Sequence, residues 1–335
     1  MRGRNTILFS LLTVAVGLLF VADIAVGSVA IPLRDVAAAL TGGETDASLR
    51  NIIIDIRLIK AIMAVLAGAA LSASGLQMQT LFRNPLAGPY VLGVSAGASF
   101  GVALFLLGAP LLGFAAHPLM QTIGTAGAAW IGAAAILLLV MSLSRRIKDI
   151  MVILILGMML SSAIGAAVEI MQYLSNEAAL KSFVVWTMGS LGDVTYGQLA
   201  IIAPATIAGI ALAVAAIKPM NMLLLGENYA RTMGLDIPRT RRIIFASTTL
   251  LAGTVTAFCG PIGFVGLAVP HLARMIFASA DHRTLVPASM LIGTAMMLVC
   301  DIIAKRLTLP INSVTALMGI PIVIYIVTRN RSLFR

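Results

Sequence analysis

Long apolar runs separated by short polar or basic stretches make up most of the chain. A helix needs roughly 20 predominantly apolar residues to cross about 30 Å of hydrocarbon, and most of these runs are near that length. The pattern therefore predicts an all-α polytopic membrane protein, organised as one transmembrane domain over residues 1–335. Ten spans are predicted, at about residues 6–27, 58–81, 91–107, 122–143, 150–173, 199–217, 243–258, 265–278, 285–303 and 314–327.

The interruptions between the runs predict further local features. An amphipathic piece is expected around residues 33–40, and polar connectors at 108–118 and 174–198. Turns rich in proline and glycine, at residues 83–89 and 260–266, break the helical pattern, because such residues near membrane depth indicate non-helical backbone. The first turn is compatible with a tight turn between packed helices or with a gate that lines a pathway.

The longest run in the second half that cannot lie in lipid is Lys218–Arg242, called here the basic segment. It contains five basic and two acidic residues and separates two apolar runs. Two short helices are expected in it, one around Leu223–Met233 and another after Pro238. A structured basic segment between two spans indicates a surface that is presented to another molecule.

Composition agrees with a membrane protein. The chain is 60% apolar and 11% charged, with a mean hydropathy of +1.03, whereas soluble domains are about half apolar and about a quarter charged. The net charge of +10 is better explained by lysine and arginine in cytoplasmic loops than by a nucleic-acid partner. The two cysteines have no paired spacing for a disulfide or a metal site.

The distribution of basic residues predicts the orientation. With ten spans, 15 of the 23 lysines and arginines fall on the side that holds both termini and the basic segment, and seven fall on the other side. Because basic residues accumulate in cytoplasmic loops, both termini are predicted to be cytoplasmic. The first apolar run is predicted to be an uncleaved span, because it is longer than a typical signal-peptide core and many spans follow.

Few residues within the spans can carry chemistry. The ionisable residues predicted to lie in spans are near span ends: Asp23, Glu169, His271, Arg274 and Asp301. A carrier driven by an ion gradient usually needs a chain of acids near mid-membrane, and that alternative is weaker here. Catalytic motifs and a P-loop are absent from the sequence, so we predict a transport protein, not an enzyme, with an external energy source and no metal site.

Four basic residues on the predicted outer side lie where the positive-inside rule disfavours them. They are Arg57, Lys60, Lys305 and Arg306. Their side chains could reach the membrane interface as isolated groups. Alternatively, they form a docking patch for an acidic soluble partner, because complementary charge steers and orients such encounters.

An ordered set of motifs extends this interpretation. The chain resembles the FecCD/BtuC-type permease subunits of type II ABC importers for iron–siderophore, haem and cobalamin, over about residues 56–327. The motifs that carry the resemblance are Arg57–Lys60, Gly68–Leu71, Gln79 with Phe82–Ala87, Leu92–Ser95, Trp186 with Met188–Gly189, Leu225–Glu227 with Ala230 and Gly234, Gly260–Leu267, Pro270–His271 with Arg274, Asp281–Arg283, Asp301 and Gly319–Pro321.

The resemblance implies an assembly as well as a fold. It implies ten helices per subunit, a homodimer with the pathway on its two-fold axis, two ATP-binding cassette subunits and a periplasmic binding protein, in the bacterial inner membrane and surrounded by its lipid. ATP and magnesium would be held by the cassette subunits, and this chain would bind no cofactor. The implied activity is ATP-driven import of an iron chelate by alternating access, with haem or cobalamin as alternative cargo.

The resemblance also implies roles for individual residues. Those expected to couple the chain to the ATPase are Gly226, Glu227, Ala230, Arg231 and Gly234. A cytoplasmic gate is expected at Asn84, Pro85 and Leu86, and docking of the binding protein at the four basic residues above. The motif residues expected to be structural are Gly263, Gly266, Pro270, His271 and Arg274.

The chain departs from the family pattern in three places. Ile59-Lys60 stands where the pattern is usually Pro-Arg, and Lys305 stands where arginine is frequent. Lysine keeps the charge but loses the bidentate fork to a carboxylate. Asn312 stands where the pattern has glycine, which removes a hinge near the start of the tenth predicted span.

Overall fold

The computed structural model describes residues 2–27, 31–43, 46–108, 118–144, 147 and 149–329. Within these ranges every regular element is a helix. The predicted connector at 108–118, the basic turn at 145–148 and the basic tail after residue 329 lie largely outside the described residues. The all-α prediction is confirmed for the part that the structure describes.

The helices follow the predicted order. In chain order they are α1 (Arg2–Ala25), α2 (Leu33–Thr41), α3 (Ala47–Asn51), α4 (Ile59–Leu81), α5 (Val94–Ala103), α6 (Pro118–Ser144), α7 (Ile150–Leu174), α8 (Glu177–Thr187), α9 (Tyr196–Ala215), α10 (Ile217–Leu223), α11 (Glu227–Thr232), α12 (Ile237–Thr248), α13 (Thr254–Cys259), α14 (Val265–Phe277), α15 (His282–Leu307) and α16 (Ile311–Arg329). Wider π-helical turns join α3 to α4 and α12 to α13, and another extends α5.

All ten predicted spans correspond to helices among the described residues. Six helical stretches are long and apolar enough to cross a membrane, within α1, α6, α7, α9, α12–α13 and α15, and three shorter apolar helices lie at 94–108, 265–277 and 311–325. The remaining predicted span, at residues 58–81, is α4. Most α4 residues are buried, as expected for a helix that is apolar on all sides and lies inside a bundle.

Small residues allow the neighbouring helices to approach the backbone of α4. A side chain added at Gly68 would overlap the carbonyl of Gly293 on α15, and one added at Gly293 would overlap the carbonyl of Gly68. A side chain added at Gly75 would overlap the carbonyl of Gly266 at the start of α14, and one added at Gly266 would overlap the carbonyl of Leu71 on α4. Glycine is required at these crossings because any Cβ would separate the helices.

Two local predictions need correction. The connector at 174–198 contains a helix, α8, because the side chain of Asn176 accepts a hydrogen bond from the Ala179 N–H at 2.9 Å and starts it. The helix expected around Leu223–Met233 begins only at Glu227, because Gly226, with a φ of 102°, separates it from α10, which ends at Leu223. A residue with a side chain is strained at that φ.

We predict that replacing Gly293 with alanine destabilises the bundle. The new methyl would press on the Gly68 carbonyl and on Ser72, and overpacking costs about 1–3 kcal/mol. The measurement is the thermal unfolding midpoint of the detergent-solubilised chain. Gly165→Ala is the matched control, because the space around Gly165 on α7 is open. A midpoint equal to that of the control would contradict this account of the crossing.

Candidate functional site

The basic segment folds as three short pieces at one end of the bundle. Helices α10 and α11 are followed by the first turns of α12. Gly226 and Gly234 both have positive φ, 102° and 84°, and they permit the chain reversals that fold α11 back. Asp236 accepts a hydrogen bond from the Arg239 N–H at 3.0 Å and caps α12. The segment is therefore structured, as predicted.

Glu227 is engaged within the segment. Its carboxylate accepts hydrogen bonds from Nη2 of Arg241 at 2.7 and 3.0 Å, and the Arg241 side chain is almost fully buried. Ala230, on α11, is completely buried. Both residues were predicted to couple the chain to an ATPase. The structure shows that they hold α11 against α12, and a contact with the ATPase stays a prediction.

The outer surface of the basic segment is apolar. Leu225 is 60% exposed, Tyr229 57% and Met233 51%, and Leu224 lies beside them, 44% exposed. Arg231, from the predicted coupling set, is also exposed. The segment separates two spans, so its exposed apolar side chains face an aqueous phase. Exposed apolar groups gathered in this way mark a contact surface for another protein.

A hydrogen-bonded network connects α10 to the start of α15. The side chain of Asn221 donates to Asp281 at 2.6 Å and accepts from the backbone N–H of His282 at 2.9 Å. The N–H of Arg283 lowers the pKa of the Asp281 carboxyl, and the Asn221 amide adds to that shift. The ionised form is therefore favoured, and its stabilising contribution is lost only as the pH falls through that lowered pKa.

His282 extends the network to the central helix. Its Nδ1 lies 2.7 Å from Oδ1 of Asn221 and its Nε2 lies 2.7 Å from the Thr80 hydroxyl. The Asn221 oxygen can only accept, so Nδ1 carries the proton in this contact. The basic segment is thereby linked through two side chains to the last turn of α4.

The turn after α4, Arg83–Gly88, is fixed from several sides. Asn84 accepts from the Leu86 N–H at 2.9 Å through its side chain, and Nε2 of His271 lies 2.8 Å from the Pro85 carbonyl oxygen. Arg83 has a φ of 48°, and its guanidinium would lie 3.8 Å from a Cβ built on Gly226. The predicted gate residues and the basic segment are therefore neighbours.

Arg274 and Gln79 tie the same region to α14. Nη1 of Arg274 donates to Oε1 of Gln79 at 2.6 Å, and the Gln79 amide donates to the Leu267 carbonyl at 3.0 Å. Pro270 is buried within α14. These contacts agree with a structural contribution of the Pro270-His271 and Arg274 motif, and they fix α14 to the inner end of α4.

At the opposite end of the bundle, two lysines neutralise two buried carboxylates. Nζ of Lys305 lies 2.9 Å from Asp23 and 2.7 Å from Asp301, and Nζ of Lys60 lies 3.3 Å from Asp301. Both aspartates are completely buried. These four residues, called here the lysine–carboxylate cluster, join the ends of α1 and α15 to the start of α4.

The four predicted docking residues therefore differ in exposure. The Arg57 guanidinium is buried and donates to the carbonyls of Ile24 and Ala25 at 3.0 and 2.8 Å. Lys305 is held in the cluster, and the Lys60 side chain is 22% exposed. Arg306 is exposed. Docking through these residues stays a prediction, and Arg306 and Lys60 are the ones that a partner can reach.

Asn312 stands where the family has glycine, and its hydrogen bonds link separate parts of the chain. Its side-chain oxygen accepts a hydrogen bond from the Gly263 N–H at 3.0 Å, and its backbone N–H bonds to the Met188 carbonyl at 3.3 Å. The break between α13 and α14 is thus joined to α16 and to the end of α8.

Groups of three or more His, Cys, Asp or Glu that could hold a metal do not occur in the described residues. Cys259 and Cys300 are both buried and free.

Comparison with known proteins decides the family. A model of the FecCD transport family matches residues 13–329. The chain belongs to the FecCD transport family. It is 34% identical to the hemin transport system permease protein HmuU of Yersinia pestis over 297 residues, 86% of each chain. It is 36% identical to the vitamin B12 import permease BtuC of Escherichia coli over 280 residues, 82% of this chain and 83% of the relative.

A solved structure confirms the fold. An inward-facing metal-chelate type ABC transporter superposes with a TM-score of 0.83 at 29% identity, covering 96% of this chain and 99% of the other. The resemblance predicted from the motifs is confirmed. The chain is a multi-pass permease of the ABC importer class, and its family is one of transport subunits that work with ATPase subunits and a substrate-binding protein.

Sequence reasoning missed three contributors to these sites. Asn221 and Thr80 belong to no motif, although Thr80 follows the motif residue Gln79. The lysine–carboxylate cluster was missed because Asp23 and Lys305 are 282 positions apart. The only signal in the sequence was an acidic residue near the end of a span. This signal does not identify the basic residue that pairs with it.

We predict that Lys305→Met destabilises the chain by about 3–5 kcal/mol, the usual cost of removing one partner from a buried ion pair. The substitution removes the lysine that faces both Asp23 and Asp301. Thermal unfolding of the detergent-solubilised chain measures the change. The neighbouring Arg306→Met, at an exposed position, is the control, and equal midpoints for the two variants would refute the structural role of the cluster.

Proposed function

We propose that this chain is the permease subunit of an ATP-driven importer that moves an iron chelate from the periplasm to the cytoplasm by alternating access. In this proposal ATP and magnesium bind to separate ATPase subunits, and hydrolysis is not a property of this chain. The permease class follows from the family. The cargo, the partners and the coupling residues are parts of the proposal.

The observation that carries the coupling proposal is the apolar surface of the basic segment. Leu225, Tyr229 and Met233 are each more than half exposed in a part of the chain that lies between two spans. Burying such groups against a partner is favourable at about 25 cal/mol per Å² of apolar surface. A soluble ATPase subunit that covers this surface would gain that burial and would be positioned to move the segment.

The contacts inside the chain provide a route for that movement. Displacing α10 would act through Asn221 and His282 on Thr80 at the end of α4. Displacing Gly226 would act on Arg83 at the start of the turn that contains Asn84. The first route ends in the last turn of α4, where the Thr80 carbonyl accepts a hydrogen bond from the Arg83 N–H at 3.3 Å, and the second ends at Arg83, one residue before the predicted gate. Because these routes consist of only a few contacts, we expect them to transmit a small rigid-body movement of the basic segment and not a local unfolding.

The cargo assignment draws on the relatives. A permease for hemin and a transporter of the metal-chelate type are both among the similar proteins, and both handle iron or metal held in an organic ligand. We assign an iron chelate of the siderophore type on this basis. Haem and cobalamin are the alternatives, the second because of the likeness to a vitamin B12 permease.

The proposed assembly has two copies of this chain, two ATPase subunits and a periplasmic binding protein, in the bacterial inner membrane. Both termini and the basic segment are placed in the cytoplasm, in agreement with the distribution of basic residues. The lysine–carboxylate cluster then faces the periplasm. Arg306 and Lys60 are assigned to docking, and Arg57 and Lys305 to holding the helix ends.

Transport driven by an ion gradient is the alternative from another class. It would require acids that bind and release the coupling ion. Asp23 and Asp301 are the completely buried acids of the described residues, and Lys305 and Lys60 already balance their charge. Their position at the bundle end, together with that pairing, favours a structural role.

We predict that Tyr229→Ser weakens association with the ATPase subunit, because the substitution removes a ring that is 57% exposed on the apolar surface. A loss of at least about tenfold in affinity, or about 1.4 kcal/mol, is expected for an interfacial aromatic anchor. Co-purification and titration with the cognate ATPase subunit measure it. Tyr173→Ser is the control, since Tyr173 is 89% exposed on a different helix; equal affinities would count against the basic segment as the ATPase contact.

We predict that Arg306→Glu raises the dissociation constant of the periplasmic binding protein, with a larger effect at low ionic strength where charges are less screened. The Arg34→Glu variant, at an exposed base on α2, controls for a general loss of positive charge. Surface plasmon resonance on the nanodisc-embedded chain at two salt concentrations gives the constants. A dissociation constant that Arg306→Glu leaves unchanged at low salt would exclude this residue from the docking surface.

A further inference from the structure

A cavity of about 630 Å³ opens between the end of α6 and the start of α12. Its walls include Ser144, Leu235 and Ile237 together with the arginines Arg231 and Arg242. The turn that contains Glu227 is adjacent, but the transport proposal uses neither the cavity nor Arg242. The combination of apolar wall and arginine distinguishes it from three other cavities of the described residues, near Trp186, Trp130 and Phe9, whose linings contain no arginine.

The position of the cavity places it at the level of the lipid headgroups. The apolar span of α6 ends at Ser144, and the span formed by α12 and α13 begins at Ile237. Both of these span ends line the cavity. A cavity between two span ends is reached from the lipid and from the aqueous phase, which is where the phosphate of a phospholipid lies.

The charges in the cavity favour an anion. Three arginines and one aspartate line it. Arg241 is committed to Glu227, and Asp236 caps the N-terminus of α12. Arg231 and Arg242 are exposed, and within the described residues Arg242 bonds through Nε to the Pro238 carbonyl at 3.4 Å. Guanidinium groups of this kind match the oxygens of a phosphate and bind it through paired hydrogen bonds.

The rest of the cavity wall is apolar and suits the apolar part of an amphiphilic ligand. Ile147, Leu235, Ile237 and Pro238 supply apolar surface beside the arginines. A free inorganic anion would gain nothing from these side chains, whereas the glycerol and the first methylenes of a lipid would bury against them. Basic pockets between transmembrane helices at the cytoplasmic side are recognised sites for anionic headgroups.

We propose that this cavity binds the phosphate group of an anionic phospholipid, held by Arg242 and Arg231 with its glycerol end against the apolar wall. The inference goes beyond the transport proposal, from which it takes the leaflet that supplies the lipid, and it shares Arg231 with the predicted coupling residues. If the segment's contact with an ATPase were disproved, the cavity and its arginines would be unaffected.

The test compares two arginines on the same helix. Arg242→Gln removes a guanidinium that lines the cavity, and Arg239→Gln removes an exposed guanidinium of α12 that does not. The full chain is extracted from membranes that contain phosphatidylglycerol and phosphatidylcholine, and retained lipid is counted by native mass spectrometry. We expect at least a fivefold loss of retained phosphatidylglycerol in Arg242→Gln and none in Arg239→Gln.

Further arms identify the source of the phosphate and control for folding. Inorganic phosphate at millimolar concentration should leave the phosphatidylglycerol adduct in place; its displacement would overturn the lipid assignment in favour of a free anion. Equal retention of phosphatidylcholine, or equal losses in the two variants, would overturn the site. Arg242→Lys, which keeps the charge, should retain lipid at an intermediate level, and thermal unfolding midpoints of all variants should agree with the unsubstituted chain.

Discussion

The close approach of neighbouring helices to the backbone of α4 is the constraint on which the rest of the molecule depends. A bilayer supplies no hydrophobic drive between helices, so packing of small residues has to hold them together. Gly68 against Gly293 and Gly75 against Gly266 provide two such crossings. Because α15 and α14 pack closely against it in this way, α4 is a buried helix that connects the two ends of the bundle.

Different polar contacts hold the two ends of α4 in place. At the end with Lys60, two buried carboxylates are balanced by lysines from α4 and α15, and charge balance makes this end stiff. At the other end, hydrogen bonds through Thr80 and Gln79 connect α4 to the basic segment and to α14, and one of them comes from the Arg274 guanidinium. No completely buried carboxylate of the described residues lies at this end. Hydrogen bonds contribute about 0.5–1.5 kcal/mol each, or about 1.5–3 kcal/mol where a charged group takes part, so this end can rearrange at lower cost. The asymmetry suits a permease that changes shape on the side where energy is delivered.

Much of the fold could be predicted because length and apolarity alone decide where a helix can cross lipid. The ten spans, the break at 260–266 and the division of the basic segment after Pro238 needed no knowledge of tertiary contacts. The helix α8 was missed although Asn176 followed by Glu177 is an N-cap signal, because the polar composition of the connector obscured it. The glycine at 226 was recognised as a family motif, but its φ of 102°, which ends one helix before the next, follows from the folded chain reversal.

The sequence identified several residues of the site, but it did not identify the groups that they contact. Glu227 and His271 were singled out by motif, yet their partners, Arg241 and the Pro85 carbonyl, are set by how the helices pack. Arg57 and Lys305 were expected at a surface, and the structure shows their side chains turned inward to carbonyls and carboxylates. A single sequence reveals that a charge is unusual in its place. It does not reveal which group, hundreds of residues away, neutralises it.

The central claim is that this chain imports its cargo with energy from ATP, and uptake by a reconstituted system tests it most directly. The chain, its cognate ATPase and its cognate binding protein are placed in proteoliposomes with a radiolabelled ferric siderophore outside. The account predicts accumulation that requires magnesium and ATP at the ATPase side and the binding protein at the other side, and that a protonophore does not abolish. Accumulation without ATP that collapses with the ion gradient would contradict it.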